Sequence, residues 1–151
     1  MKNWLNPSDA AELLLRLDGL NAAARPRWGR FTAGELLCHL ADPVRLALGD
    51  KQAKRVPGPL GLPGVAQAVV WILPWPKGAP TATEFLPGGG MTHTTTFGAD
   101  KQALLAVLRR FGETPSARAF APHPVFGRLS RRGWGRLMWR HVDHHLRQFG
   151  L

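Results

Sequence analysis

The chain has 151 residues and a mass of 16.6 kDa, with 44% apolar and 20% charged residues, enough for one domain with its own core and too apolar for a disordered chain. Its single cysteine, Cys38, excludes an intrachain disulfide framework and a multi-cysteine zinc module. The net charge of +10 is uneven: residues 1–100 carry ten cations and eight anions, residues 101–151 ten cations and two anions. That basic C-terminal third raises the question of an anionic partner.

In chain order, Met1-Lys2-Asn3-Trp4-Leu5 lacks the apolar run of a signal peptide. Asn6-Pro7-Ser8-Asp9 reads as a helix start, with Asn6 or Ser8 as the cap; Leu13, Leu14, Leu17 and Leu20 follow at helical spacing and Gly19 stops the helix. Thr32-Ala33-Gly34-Glu35 fits a capping box. The helix it opens reaches about Leu48, with Leu37, Leu40, Val44 and Leu48 on one stripe and Leu36, His39, Pro43 and Leu46 on a second. Two apolar lines predict more than one packing neighbour. Residues 49–100 are irregular and hold seven of the thirteen prolines. A short apolar helix over Val65–Leu73 is expected there, far below the roughly 20 residues of a membrane span. Thr92–Phe97 is β-branched and reads as extended. A third core helix is expected from Asp100 to about Gly112, and Ser130 caps a last helix that reaches Phe149. Four amphipathic helices with one long connection describe an all-α four-helix bundle over residues 1–151, in a cytoplasmic chain with no membrane association.

The last helix carries the chemistry. Arg132, Arg136, Arg140, Asp143 and Arg147 fall on one side of a helical wheel, and Trp134, Met138, His141, His145 and Phe149 on the other. Imidazoles at i and i+4 can converge on one metal ion, as in zincin helices, but Val142 stands where a zincin would place its glutamate base. A third ligand must come from His39, His93 or His123; His39 is the strongest candidate because it lies mid-helix on an apolar line. The competing reading is a metal-free polar core, although three imidazoles in one small core are costly unless each is paired or bound. Other expectations are Cys38 as a small buried side chain, His144 on the flank towards solvent and Asp143 solvated on the charged face. Gln148 is a candidate partner for a ligand imidazole, His123-Pro124 shapes a loop, and Trp134 and Trp139 serve packing or dimer contacts. The arginines read as a solvated basic face, or alternatively as a binding surface for nucleic acid, anionic lipid or an acidic small molecule.

The segment Trp28-Gly29-Arg30-Phe31-Thr32-Ala33-Gly34-Glu35-Leu36-Leu37-Cys38-His39-Leu40-Ala41-Asp42 resembles the second-helix signature of the DinB/YfiT-like superfamily. His123-Pro124-Val125-Phe126-Gly127 and His141-Val142-Asp143-His144-His145 are similar to a branch of it known only as a domain of unknown function. The resemblance implies an up-down-down-up bundle with a long crossover between its second and third helices. It also implies a divalent metal on His39, His141 and His145. Zinc or nickel would suit these ligands, with manganese as a further choice. By the same resemblance, characterised relatives include metal-dependent transferases and an isomerase that use low-molecular-weight thiols. The implied function is therefore a thiol-dependent S-transferase or hydrolase acting on a small molecule as a homodimer. The alternative is a non-enzymatic basic binding protein that uses the bundle as scaffold.

Overall fold

A computed structural model describes residues 1–75, 77 and 83–151. Among them are five α-helices: α1 (Pro7–Asp18), α2 (Ala33–Leu48), α3 (Pro63–Trp71), α4 (Phe97–Glu113) and α5 (Arg131–Gln148), with short 3-10 turns at Pro59–Gly61 and Thr83–Phe85. The fold is all-α over these residues. An isolated antiparallel bridge between His123 and Gly127 is the extent of the β pairing among them. None of the described helices is long and apolar enough to cross a membrane.

Local chemistry sets the helix starts. The Asn6 side chain accepts from the Ser8 N–H, with Pro7 in the first turn of α1. The capping box on α2 is complete: Glu35 N–H donates to Thr32 Oγ1 at 3.2 Å, and Thr32 N–H donates to Glu35 Oε2 at 2.8 Å. Ser130 caps α5 by accepting from Gly133 N–H. The third core helix, however, begins at Phe97 rather than Asp100. Thr96 caps it, accepting from Ala99 N–H. Asp100 turns back instead to accept from the N–H and hydroxyl of Thr95. Residues 92–96 form no strand; Thr92 is bound from its N–H and hydroxyl to Asp42.

Helix α2 is buried along nearly its whole length, because α4 and α5 both pack against it and the 83–85 turn covers a further side. This is what its two apolar lines require. Leu36, Leu37, Leu40 and Val44 meet Leu104, Leu108 and Phe111 of α4 and Trp134, Met138 and Leu146 of α5 in one core. Helix α1 adds Leu13 and Leu17 and lies on α5. Close approach is possible there because residue 135 is glycine: a Cβ would collide with the Asn3 side chain, and Trp4 N–H donates to the Gly135 carbonyl at 2.9 Å. Helix α3 rests on α5 through Arg140, whose guanidinium donates to the carbonyls of Val69, Val70 and Leu73. These carbonyls lie at the end of α3, where a helix leaves acceptors unpaired.

A candidate metal centre

Packing α2 against α5 brings three histidines from distant parts of the sequence to one point. His39 Nε2 lies 3.1 Å from His141 Nε2 and 3.1 Å from His145 Nε2, and one ring nitrogen from each of the three lies within 4.8 Å of the others. His39 and His145 are buried, and His141 is partly so. The i, i+4 spacing on α5 stacks His141 and His145 on its inner face. His39 occupies the facing turn of α2, one turn before Pro43. Pro43 has no N–H to offer the His39 carbonyl, so the helix gives up a bond beside the site.

Hydrogen bonds on the far side of the His39 and His145 rings decide their tautomers. His39 Nδ1–H donates to the Phe85 carbonyl at 2.8 Å, because a carbonyl can only accept. His145 Nδ1 lies 2.7 Å from Gln148 Oε1, while Gln148 Nε2 donates to the Trp28 carbonyl at 2.6 Å. The second bond orients the amide, so His145 Nδ1–H is also the donor. Gly29 makes this possible: its φ is +79°, and a Cβ there would collide with Gln148 Nε2. In neutral rings, both Nε2 atoms therefore carry lone pairs. The 3.1 Å His39–His145 contact has no proton in it, whichever tautomer His141 adopts.

Burial holds these rings neutral. It pushes His39 below the ordinary imidazole value against the opposing pull of the Phe85 bond. Burial, then the neighbouring His39 ring, brings His145 down to about 3. His141 is held well below the usual value by burial and by both partners. Three converging imidazole nitrogens of this kind are a group that could hold a cation. The two distances from His39 fit as well. With metal–nitrogen bonds of about 2.0–2.1 Å, two ligands on one ion stand roughly 2.9 Å apart at a right angle and roughly 3.4 Å apart in a tetrahedron. The observed 3.1 Å lies between those limits.

A cavity of about 1090 Å³ opens on the cluster. Phe31 lies against the His39 ring at 4.6 Å between centroids, while Trp75 stands 6.1 Å from His141. His144 lies half-buried between Trp28 and Trp75, lining the cavity but outside the cluster. His93 is exposed. His123 lines a wall, and its Nδ1 accepts from the N–H groups of Val125 and Phe126, so it does shape its loop. Cys38 is a buried side chain directed at the His93 carbonyl, with its thiol pushed up to about 11 by burial and then by Asp100 and Asp42.

Asp143 departs from the sequence expectation. It is buried rather than solvated, because Arg16 reaches across from α1 to bind it at 2.7 Å and Arg147 joins at 3.1 Å. The basic face is likewise engaged within the chain. Arg131 donates to the Thr114 and Pro115 carbonyls, Arg136 to the Lys2 carbonyl, and Arg140 to the end of α3. Arg132 and Arg140 lie over Trp71 and Trp75, each at 5.2 Å. Trp134 and Trp139 are packing residues whose indole N–H groups donate to the carbonyls of Ala121 and Asp9.

The sequence alone left four contributors unnamed: the Phe85 carbonyl, the Trp28 carbonyl, the Phe31 ring and the Trp75 ring. The Trp28-Gly29 pair before the capping box was a readable signal for the second, whereas Phe85 lies in a stretch without periodicity. Residues 90–150 are similar to the family described as "Protein of unknown function (DUF1569)", a span that includes His141 and His145 but not His39. No curated protein and no solved structure matches the chain.

Proposed function

We propose that residues 1–151 form a single DinB-like, up-down-down-up four-helix bundle that holds one divalent metal on His39, His141 and His145. In this reading it acts as a thiol-dependent S-transferase or hydrolase on a small molecule. The observation that carries the reading is the proton-free 3.1 Å contact between two buried imidazole nitrogens whose tautomers are set from behind. Lone pairs at that distance repel unless an electrophile lies between them. A bound divalent ion would supply Lewis acidity, letting a thiol or water act as nucleophile at neutral pH.

The remaining roles fall to the chain itself. Phe85 and Gln148 keep two Nε2 lone pairs turned inward. Phe31 and Trp75 bound the cluster with apolar surface. Zinc or nickel suits the all-imidazole set, with manganese as a further choice. The homodimer belongs to the same proposal by resemblance. The rival reading, a basic binding protein, draws little support from arginines already engaged within the chain.

Elemental analysis of protein purified without a histidine tag tests the metal site. One equivalent is expected in the wild type and in His144→Ala, and near none in His39→Ala, His141→Ala or His145→Ala. Full occupancy in a chain lacking both His141 and His145 would overturn the assignment. A screen for thiol-transferase and hydrolase activity, with and without chelator, then tests the reaction class.

A further inference from the structure

The proposed site leaves its substrate open, and the polar groups of the cavity wall narrow the choice. Glu35 lines the cavity, but its carboxylate is engaged with Thr32 in the capping box. Gln148 has committed both ends of its amide, to His145 and to Trp28. His123 has its Nδ1 filled by two backbone N–H groups, which leaves its Nε2–H as a donor. The intervening wall is aliphatic and aromatic, with Val69, Leu73, Phe85, Leu137 and Met138 among its residues. Three kinds of side-chain polar group remain for a ligand among the described lining residues. One is the histidines: those at the cluster, the half-buried His144 ring, and the Nε2–H of His123. The second is the Trp28 indole N–H, which is buried and has no hydrogen-bond partner among the described residues. The third is a pair of exposed cations, Arg30 and Lys77.

This distribution is unsuited to a sugar- or peptide-based thiol. Such a molecule carries many hydroxyl and amide groups, and each one desolvated against Val69, Leu137 or Met138 without a partner would weaken binding. At about 1090 Å³ the cavity is at or above the upper end of small-molecule sites, on the order of 300–1,000 Å³.

Resting on the metal-centre reading above, we infer that the cavity takes an amphiphile: an extended apolar body carrying a single head group that ionises, with that head at the histidine cluster. A thiol and a carboxylate share this chemistry. His144, the His123 Nε2–H, the Trp28 N–H and the two cations accommodate at most a few polar atoms besides the head.

Calorimetric titration of the zinc-loaded full chain with straight-chain carboxylates and alkanethiols of four to ten carbons, and with glutathione, tests the inference. Affinity should rise by up to about fourfold per added methylene, and octanethiol should bind at least a hundredfold more tightly than glutathione. A thiol preference at equal length assigns the head to sulfur and a carboxylate preference assigns it to oxygen; either supports the amphiphile. Leu73→Glu, which adds a charge to a half-exposed wall position, should lower octyl-chain affinity at least tenfold with metal content unchanged. Repeating the series on the chain lacking His141 and His145 separates the two readings. Length dependence that persists there upholds the apolar cavity even if the wild type proves metal-free. A flat series in the wild type, glutathione binding as tightly as octanethiol, or no effect of Leu73→Glu would overturn the inference.

Discussion

Gln148 shows how much of the candidate site rests on a residue outside the three-histidine cluster. Its amide joins the His145 ring to the Trp28 backbone, so truncation releases both the ring and its tautomer. Gln148→Ala should weaken metal binding by roughly 10–100-fold, the usual effect of losing such an outer partner. Gln148→Glu, which still accepts from His145 Nδ1–H, should recover most of it; competition with a chromophoric chelator measures both. His123 makes a different prediction. A charged ring would carry a proton on Nδ1 and lose both accepted N–H bonds, and burial pushes its pKa from 6.5 to about 3. The folded value lies below the unfolded one, so this contribution to stability is complete above about pH 6.5 and declines as the pH falls towards 3. The decline is at most about 1.4 kcal/mol per pH unit. His123→Asn retains an acceptor without titrating, and denaturant melts should show a shallower acid-side slope than the wild type.

At the scale of elements, α2 is organised from both sides of His39. Its start depends on the Thr32–Glu35 box, and Thr32→Ala should cost about 1 kcal/mol in chemical denaturation. One turn on, fully buried Asp42 accepts from Thr92, Lys51 and Arg45, tying the chain ahead of α4 to α2. Burial pushes its carboxyl up, but the bonds from Thr92 and Lys51 prevail and hold it below the usual value. Asp42→Ala leaves those donors without their acceptor and should cost roughly 2–3 kcal/mol in the same measurement. Helix α3 depends on its neighbour rather than on its own sequence. Arg140, on the same helix as His141 and His145, binds its terminal carbonyls and covers Trp75, so the wall of the cavity and the cluster share one support.

For the whole molecule, a metal held between α2 and α5 would bind the folded chain and not the unfolded one. At a free concentration 100 times its dissociation constant it would add about 2.7 kcal/mol. For a chain of this size that is on the order of 5–10 °C in melting temperature. Calorimetric melts should show that upward shift on adding zinc to chelator-stripped wild type. The chain lacking His141 and His145 should melt at one temperature with or without zinc.

Helix existence, caps and inward faces were legible because they follow from short-range chemistry: a Thr-x-x-Glu box, an Asn-Pro start, apolar residues three and four apart. The pairing of His141 with His145 was legible for the same reason, since one helical turn separates them. Placing the end of the crossover was not: Thr96 and Asp100 both suit a helix start, and only the bond from Ala99 N–H to Thr96 shows which one caps, with Asp100 bound back to Thr95. The fate of Asp143 was also outside local reach, because the arginine that buries it comes from α1. The tautomers of His39 and His145 belong to tertiary structure alone. They depend on carbonyls at residues 85 and 28, which no helical period brings to α2 or α5. Periodicity reports which face of a helix turns inward, whereas what that face meets depends on how distant segments pack.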